Sequence, residues 1–319
     1  MKKLIKKLSL IFFLGCIPVF ILIQTNCSPS GGDDGGDPDP TDPRQTNETA
    51  MIIDHLCTDL SKIPETYITQ AKEKLRIGYS HTSHGSQLVT GLVALSNGPV
   101  INAQLSPAAV SPIPFTYSGW GLEPGVFLND YWGNAGGADD LGYSGDTAWK
   151  SATITMLTTA QNDRNVVIWS WCGGVSDNDS SGINTYLNAM NDLETKYPSV
   201  KFVYMTGHLD GSGTNGNLHL RNEQIRSYCR QYNKILFDFA DIERYDPDVH
   251  DYLAQGADDG CNYQGGNWAE QWMAANPNHT LSRRATECDE CAHSHQLNCI
   301  LKGQAFWWLL ARLAGWNGI

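Results

Sequence analysis

Three short apolar runs separated by two amphipathic stripes constrain this chain more than any other feature. NVVIWSW (165–171), VKFVYM (200–205) and KILFDF (234–239) are apolar on both faces and rich in β-branched and aromatic residues, the pattern of strands covered on both sides. Between them, Ile183, Tyr186, Leu187, Met190 and Leu193 form one helical stripe, and Ile225, Tyr228, Cys229 and Tyr232 form another. A strand–helix–strand repeat of this kind predicts right-handed crossovers and a parallel sheet between two helix layers. LRIGYS (75–80) predicts an earlier strand, and CILKGQAFWWLLARLAGW predicts a final helix closed by Gly315. Ile52, Ile53, Leu56, Cys57, Leu60 and Ile63 fall at helical spacing, so the domain is expected to open with a helix. The stretches 97–148 and 245–290, rich in Gly, Pro, Asp and Asn, read as long loop insertions around a site.

Composition narrows the function classes. With 34 acidic and 22 basic residues the formal charge is −12, and no basic stripe is present to bind a phosphate backbone, so no nucleic-acid partner is expected. Hydrophobic residues make up 41% of the chain, enough for a buried core. At the start, Lys2, Lys3, Lys6 and Lys7 precede an apolar run over 8–23, too short for a typical spanning helix and suited to a secretory leader. Cys27 and the tether SPSGGDDGGDPDPTDP follow. This arrangement resembles a bacterial lipoprotein signal, which implies lipidation at Cys27, a membrane partner through that lipid and an extracytoplasmic cell-envelope location. Plain secretion is the alternative, and Cys16 is a competing site inside the apolar run. The expected organisation is a leader over 1–27, a tether over 28–48 and one α/β domain over 49–319. Cys288, Cys291 and Cys299 crowd one segment with Cys261 as a candidate partner, either as disulfides or as a zinc site completed by His293 or His295.

Ligands of open parallel sheets bind beyond the carboxyl ends of the strands. There the sequence places 80–84 (Ser-His-Thr-Ser-His), 172–179 and 206–210. Four segments, in chain order, resemble the blocks of the SGNH hydrolase superfamily, the GDSL-like esterases: GYSHT (78–82), SGDT (144–147), GGVSDND (173–179) and DECAHSH (289–295). The resemblance implies a three-layer α/β/α fold with a flavodoxin-like parallel sheet and a serine esterase acting on O-acyl groups, such as acetyl, of carbohydrate, with no cofactor. It casts Ser80 as nucleophile, His293 or His295 as base, and Glu290 or Asp289 as the orienting acid. Gly145 and Asn178 become oxyanion donors, each worth a factor of roughly 10²–10³ in rate if well placed. Tyr79 stands where the family has Asp, and the acid precedes His293 as Glu290 at three residues or Asp289 at four.

Two other function classes compete. His81, His84 and His208, with His293 or His295 and Asp210, lie at the same predicted end of the sheet and could hold a hydrolytic metal ion. The Trp-rich segments (Trp120, Trp132, Trp149, Trp268, Trp272) could instead stack on sugars in a non-catalytic surface glycan-binding lipoprotein.

Overall fold

The computed structural model describes residues 49–96, 122, 127–128, 138 and 140–318. The expectations for the leader, Cys16, Cys27, the tether, Trp120 and Trp132 lie outside these residues. In chain order the main elements are β1 (Met51–Ile53), α1 (Glu65–Lys74), β2 (Ile77–Ser80), α2 (Ser83–Leu95), β3 (Phe127–Leu128), α3 (Ala148–Thr158) and β4 (Val166–Trp169). Then come α4 (Ser180–Lys196), β5 (Lys201–Met205), α5 (Asn217–Gln231), β6 (Ile235–Phe237) and α6 (Phe239–Arg244). A small hairpin, β7 (Asn262–Tyr263) and β8 (Gly266–Asn267), precedes α7 (Trp268–Ala275), α8 (Thr280–Glu287) and α9 (Gln296–Leu313).

The main sheet has the order β1-β6-β5-β4-β2-β3, and every pair in it is parallel. The protein is therefore an α/β molecule built on a parallel sheet, consistent with three layers. One helix group joins α1, α2, α6, α8 and α9; the other joins α3, α4 and α5. After β2 the chain adds β3 on one side of it and then β4 on the other. The gap between the carboxyl ends of β2 and β4 is thus the topological switch point, the usual ligand crevice of such sheets.

The core follows from the sequence pattern. β2 and β4 are buried at every residue, and so are Ile183, Tyr186, Leu187, Met190 and Leu193 on α4. Residues 297–311 of α9 are buried without a break, the signature of a helix covered all round. It crosses α2 at two glycines with no room for a side chain: a Cβ on Gly91 would stand 1.9 Å from the Cys299 carbonyl oxygen, and one on Gly303 would stand 2.5 Å from the Gly91 carbonyl carbon.

Two expectations are corrected. The domain opens with β1, not a helix: Ile52 and Ile53 extend alongside Leu236 and Phe237 of β6. Asp54 and Asp59 then cap two 3₁₀ turns over 55–57 and 60–62, whose side-chain spacing imitates a helical stripe. The 245–290 stretch carries β7, β8, α7 and α8; each helix has eight residues, too short to leave a clear periodic stripe. Among the described residues no helix is long and apolar enough to cross a membrane.

Candidate active site

Cys172 lies three residues beyond the end of β4. Gly173 and Gly174 both take φ near +70° (+72° and +74°), a turn open to glycine that leaves the Cys172 thiol half-buried at the switch point. Across the crevice, Thr82 and Ser83 open α2 beyond β2. Ser83 Oγ lies 3.1 Å from Cys172 Sγ, within hydrogen-bond reach, and His84 Nδ1 lies 3.2 Å from the same sulfur. On the far side of the ring, His84 Nε2 donates to Asp259 Oδ2 at 2.9 Å. A single imidazole thus bridges a thiol and a carboxylate.

Electrostatics give this line its character. The hydrogen bond from His84 lowers the Cys172 thiol to about 5; partial burial opposes this, while Ser83, Thr82 and the His84 backbone N–H add to it. The sulfur therefore sits at a helix N-terminus, where partial positive charge favours a thiolate. Burial alone would discourage a charge on His84, but its bonds to Asp259 and Cys172 outweigh that and raise it to about 9. Asp259 is held below its ordinary value because the bond from His84 and the nearby His208 overcome its own burial. Between roughly these limits the arrangement is a thiolate–imidazolium pair oriented by a carboxylate.

Two further imidazoles fix the His84 ring. His208 stacks on one face at 3.7 Å and 10°, and His293 on the other at 4.4 Å and 11°. Flanked in this way, the ring cannot swing out of the line between Cys172 and Asp259 without breaking both stacks. Beneath it lies a buried charge network. Lys302 donates to Glu243 Oε1 at 2.6 Å and also to Gln87 Oε1, with its ammonium 3.8 Å over the Phe239 ring. Glu243 Oε2 accepts from the Leu209 backbone N–H at 2.6 Å, and Gln87 Nε2 donates to the Ala292 carbonyl at 2.7 Å. The neighbours of His208 and His293, and the helix turn after His84, are tied to one point in this way. Asp259 is positioned separately. Its segment runs antiparallel to the one after β5 through the bridge between Asp210 and Asp258 and the Gly211 N–H bond to the Ala257 carbonyl.

The expected serine centre is arranged differently. Ser80 is the last residue of β2, in register with Trp169, and is fully buried. Gly145 and Asn178 do come together, but the Gly145 N–H donates to Asn178 Oδ1 at 2.8 Å, and Asn178 Nδ2 donates to the Gly174 carbonyl at 2.6 Å. These groups bind each other and shape the turn after Cys172. His293 reaches the site, exposed and with φ at +59°, whereas Asp289 and Glu290 are exposed on the preceding loop. His295 caps α9, accepting from the Leu297 N–H. Of the cysteines, Cys291 and Cys299 form a disulfide, which removes them from the candidate zinc set; Cys261 is buried as a free thiol. Trp149, Trp268 and Trp272 are buried in the core rather than displayed to a sugar.

His84, His208 and Asp259 offer three donor atoms within 4.8 Å of one another, a set chemically suited to zinc. The ring orientation does not suit it. Near-parallel stacked imidazoles direct their lone pairs side by side, so an ion roughly 2.0–2.1 Å from both nitrogens would stand far out of each ring plane. His208 Nδ1 also donates to the Leu209 carbonyl at 2.8 Å. His81 is not a member of the group; its Nδ1 is bonded to the Thr82 carbonyl at 3.0 Å.

Comparison with family models, with curated proteins and with solved structures finds no match for this chain. Functional inference therefore rests on the site itself.

Sequence reasoning passed over Cys172 and Asp259. Cys172 was placed in the strand-end segment 172–179 but given no chemical role, although a cysteine followed by two glycines just beyond a buried strand is a usable signal. Asp259 has no local signal, since its partner lies 175 residues away.

Proposed function

We propose that this protein is a thiol-dependent hydrolase of acyl esters, with Cys172 as nucleophile, His84 as proton carrier and Asp259 as the group that orients it. The carrying observation is the line from Cys172 Sγ through His84 to Asp259 Oδ2, placed at the N-terminus of α2 in the switch-point crevice. The thiolate attacks the ester carbonyl carbon, and the charge moves to the carbonyl oxygen. Ser83 Oγ–H and the first-turn N–H groups of α2 are the nearest donors for that oxyanion. Imidazolium His84 gives its proton to the departing alkoxide, leaving a thioester on Cys172. Neutral His84 then takes a proton from water as the water oxygen attacks the thioester. Collapse releases the carboxylic acid and restores the thiolate.

The resemblance to SGNH hydrolases enters this reading through the scaffold. Leaving β1 aside, the strand order runs second, first, third, fourth, fifth, and His293 precedes the last helix at the crevice. On this reading the nucleophile has moved from the end of β2 to the turn after β4. The leader and tether support an extracytoplasmic, lipid-anchored location, to be checked by loss of lipid incorporation in Cys27→Ala.

The test is iodoacetamide labelling of the full chain at pH 6 with peptide mapping, beside turnover of a p-nitrophenyl ester series. Labelling at Cys172 and complete loss of turnover in Cys172→Ala, with Ser80→Ala active, are the expected results. Turnover surviving in Cys172→Ala, or a fluorophosphonate adduct on Ser80, would return the chemistry to a serine.

A further inference from the structure

A second cavity, of about 390 Å³, opens at the other end of α2, roughly 16 Å along the helix from His84. Its volume falls within the range of small-molecule sites. Apolar side chains of Leu60, Leu95, Leu281, Ile300 and Leu301 line it together with Trp272. Arg284 of α8 also lines it. That residue is only 3% exposed, and both its Nη1 and Nη2 lack a hydrogen-bond partner. Gln304 of α9, 5% exposed, likewise leaves Oε1 without one. The two acids at the rim are engaged elsewhere: Asp248 accepts from Trp272 Nε1 at 2.9 Å, and Asp59 accepts from the Ser61 N–H and hydroxyl.

Glu287, three residues on, acts on this guanidinium only through space, so both Nη atoms stay without a hydrogen bond, and a buried guanidinium left so is costly because its lost hydration is not replaced. Its two free Nη atoms form a fork that matches the two oxygens of a carboxylate. The apolar enclosure favours a monoanion over a phosphate dianion, whose desolvation costs more. Turning the Gln304 amide, whose ends are sterically equivalent, presents its NH₂ to the same anion.

We propose that this cavity binds an amphiphilic monocarboxylate, with its head group on Arg284 and Gln304 and its hydrocarbon tail against the leucines and Ile300. This site is separate from the thiol centre and does not depend on the reading of that centre.

Thermal unfolding and calorimetric titration of the full chain with sub-micellar decanoate test it, with 1-decanol and inorganic phosphate as controls. Decanoate is expected to bind saturably and raise the melting temperature, while neither control reproduces the effect. Arg284→Gln is expected to weaken decanoate at least tenfold. Leu281→Trp, which fills the cavity and leaves the guanidinium in place, should abolish binding even if Arg284→Gln folds poorly. Equal binding of 1-decanol, or full decanoate affinity in either variant, overturns the proposal.

Discussion

Two ionic clusters lie one above the other in this molecule, and they solve opposite problems. The lower one, Lys302 with Glu243, is fully buried, and its charges are consumed by Gln87, the Leu209 N–H and the Phe239 ring. Burial pulls the Lys302 ammonium below its ordinary value, and Glu243 works against that pull. The upper one, Cys172 with His84 and Asp259, lies at the edge of the interior, with Cys172 and Asp259 partly exposed. A charge pair sealed in the interior can only hold structure together. The same chemistry at a crevice can do work, provided the sealed pair keeps its geometry.

The contrast can be broken from either side. The largest stability effect is expected below: Lys302→Met strands the Glu243 carboxylate and should cost about 3–5 kcal/mol in denaturant unfolding. The double variant Lys302→Met with Glu243→Gln should recover much of that loss. A single-variant cost under about 1 kcal/mol would mean that Glu243 finds another partner. Next comes the Cys291–Cys299 disulfide, which closes a short loop carrying His293. Its removal by Cys291→Ala should cost about 2–3 kcal/mol and raise KM or lower kcat modestly. The smallest stability change, about 1–2 kcal/mol, is expected for His84→Asn, which removes a buried, stacked ring whose partners Cys172 and Asp259 are themselves partly exposed. That variant should nonetheless move the thiol titration, followed by thiolate absorbance, from about 5 back towards the ordinary cysteine value. An unmoved titration would assign the low thiol value to the helix N-terminus alone.

The pH profile sharpens the same comparison. Cys172 is depressed, so its negative charge appears as pH rises through about 5; His84 is raised, so its proton persists until about 9. Turnover should therefore rise through the first value and fall through the second, the two limbs belonging to the pair rather than to either residue. A rate that climbs only above pH 8 would rule out a preformed ion pair.

Much of the scaffold was legible from the sequence because β4, β5 and β6 are apolar on both faces and α4 and α5 are not. The resulting strand ends include the segments of His84, Cys172 and His208, which meet at the crevice. Its chemistry was less legible. Periodicity says nothing about which way the last residue of a strand points, so Ser80 looked available although it is sealed against β4. Gly145 and Asn178 were both read as oxyanion donors, whereas the Gly145 N–H donates to Asn178 Oδ1 in the turn that follows Cys172. Asp259 reaches the site only because its segment is laid against the one after β5, a contact no local pattern encodes.

The burial of α9 has a consequence for how the molecule comes into being. This helix is the common partner of β1, α1, α2, α6 and α8, and all of them precede it in the chain. A ribosome therefore releases every one of those surfaces before it makes the element that covers them. The domain cannot close before α9 has been made, since its central contacts join distant parts of the chain. Until α9 is in place, the Lys302 ammonium that ties the segments of His208, His293 and α2 to Glu243 is missing as well, so the core and the geometry above it are completed in one late step.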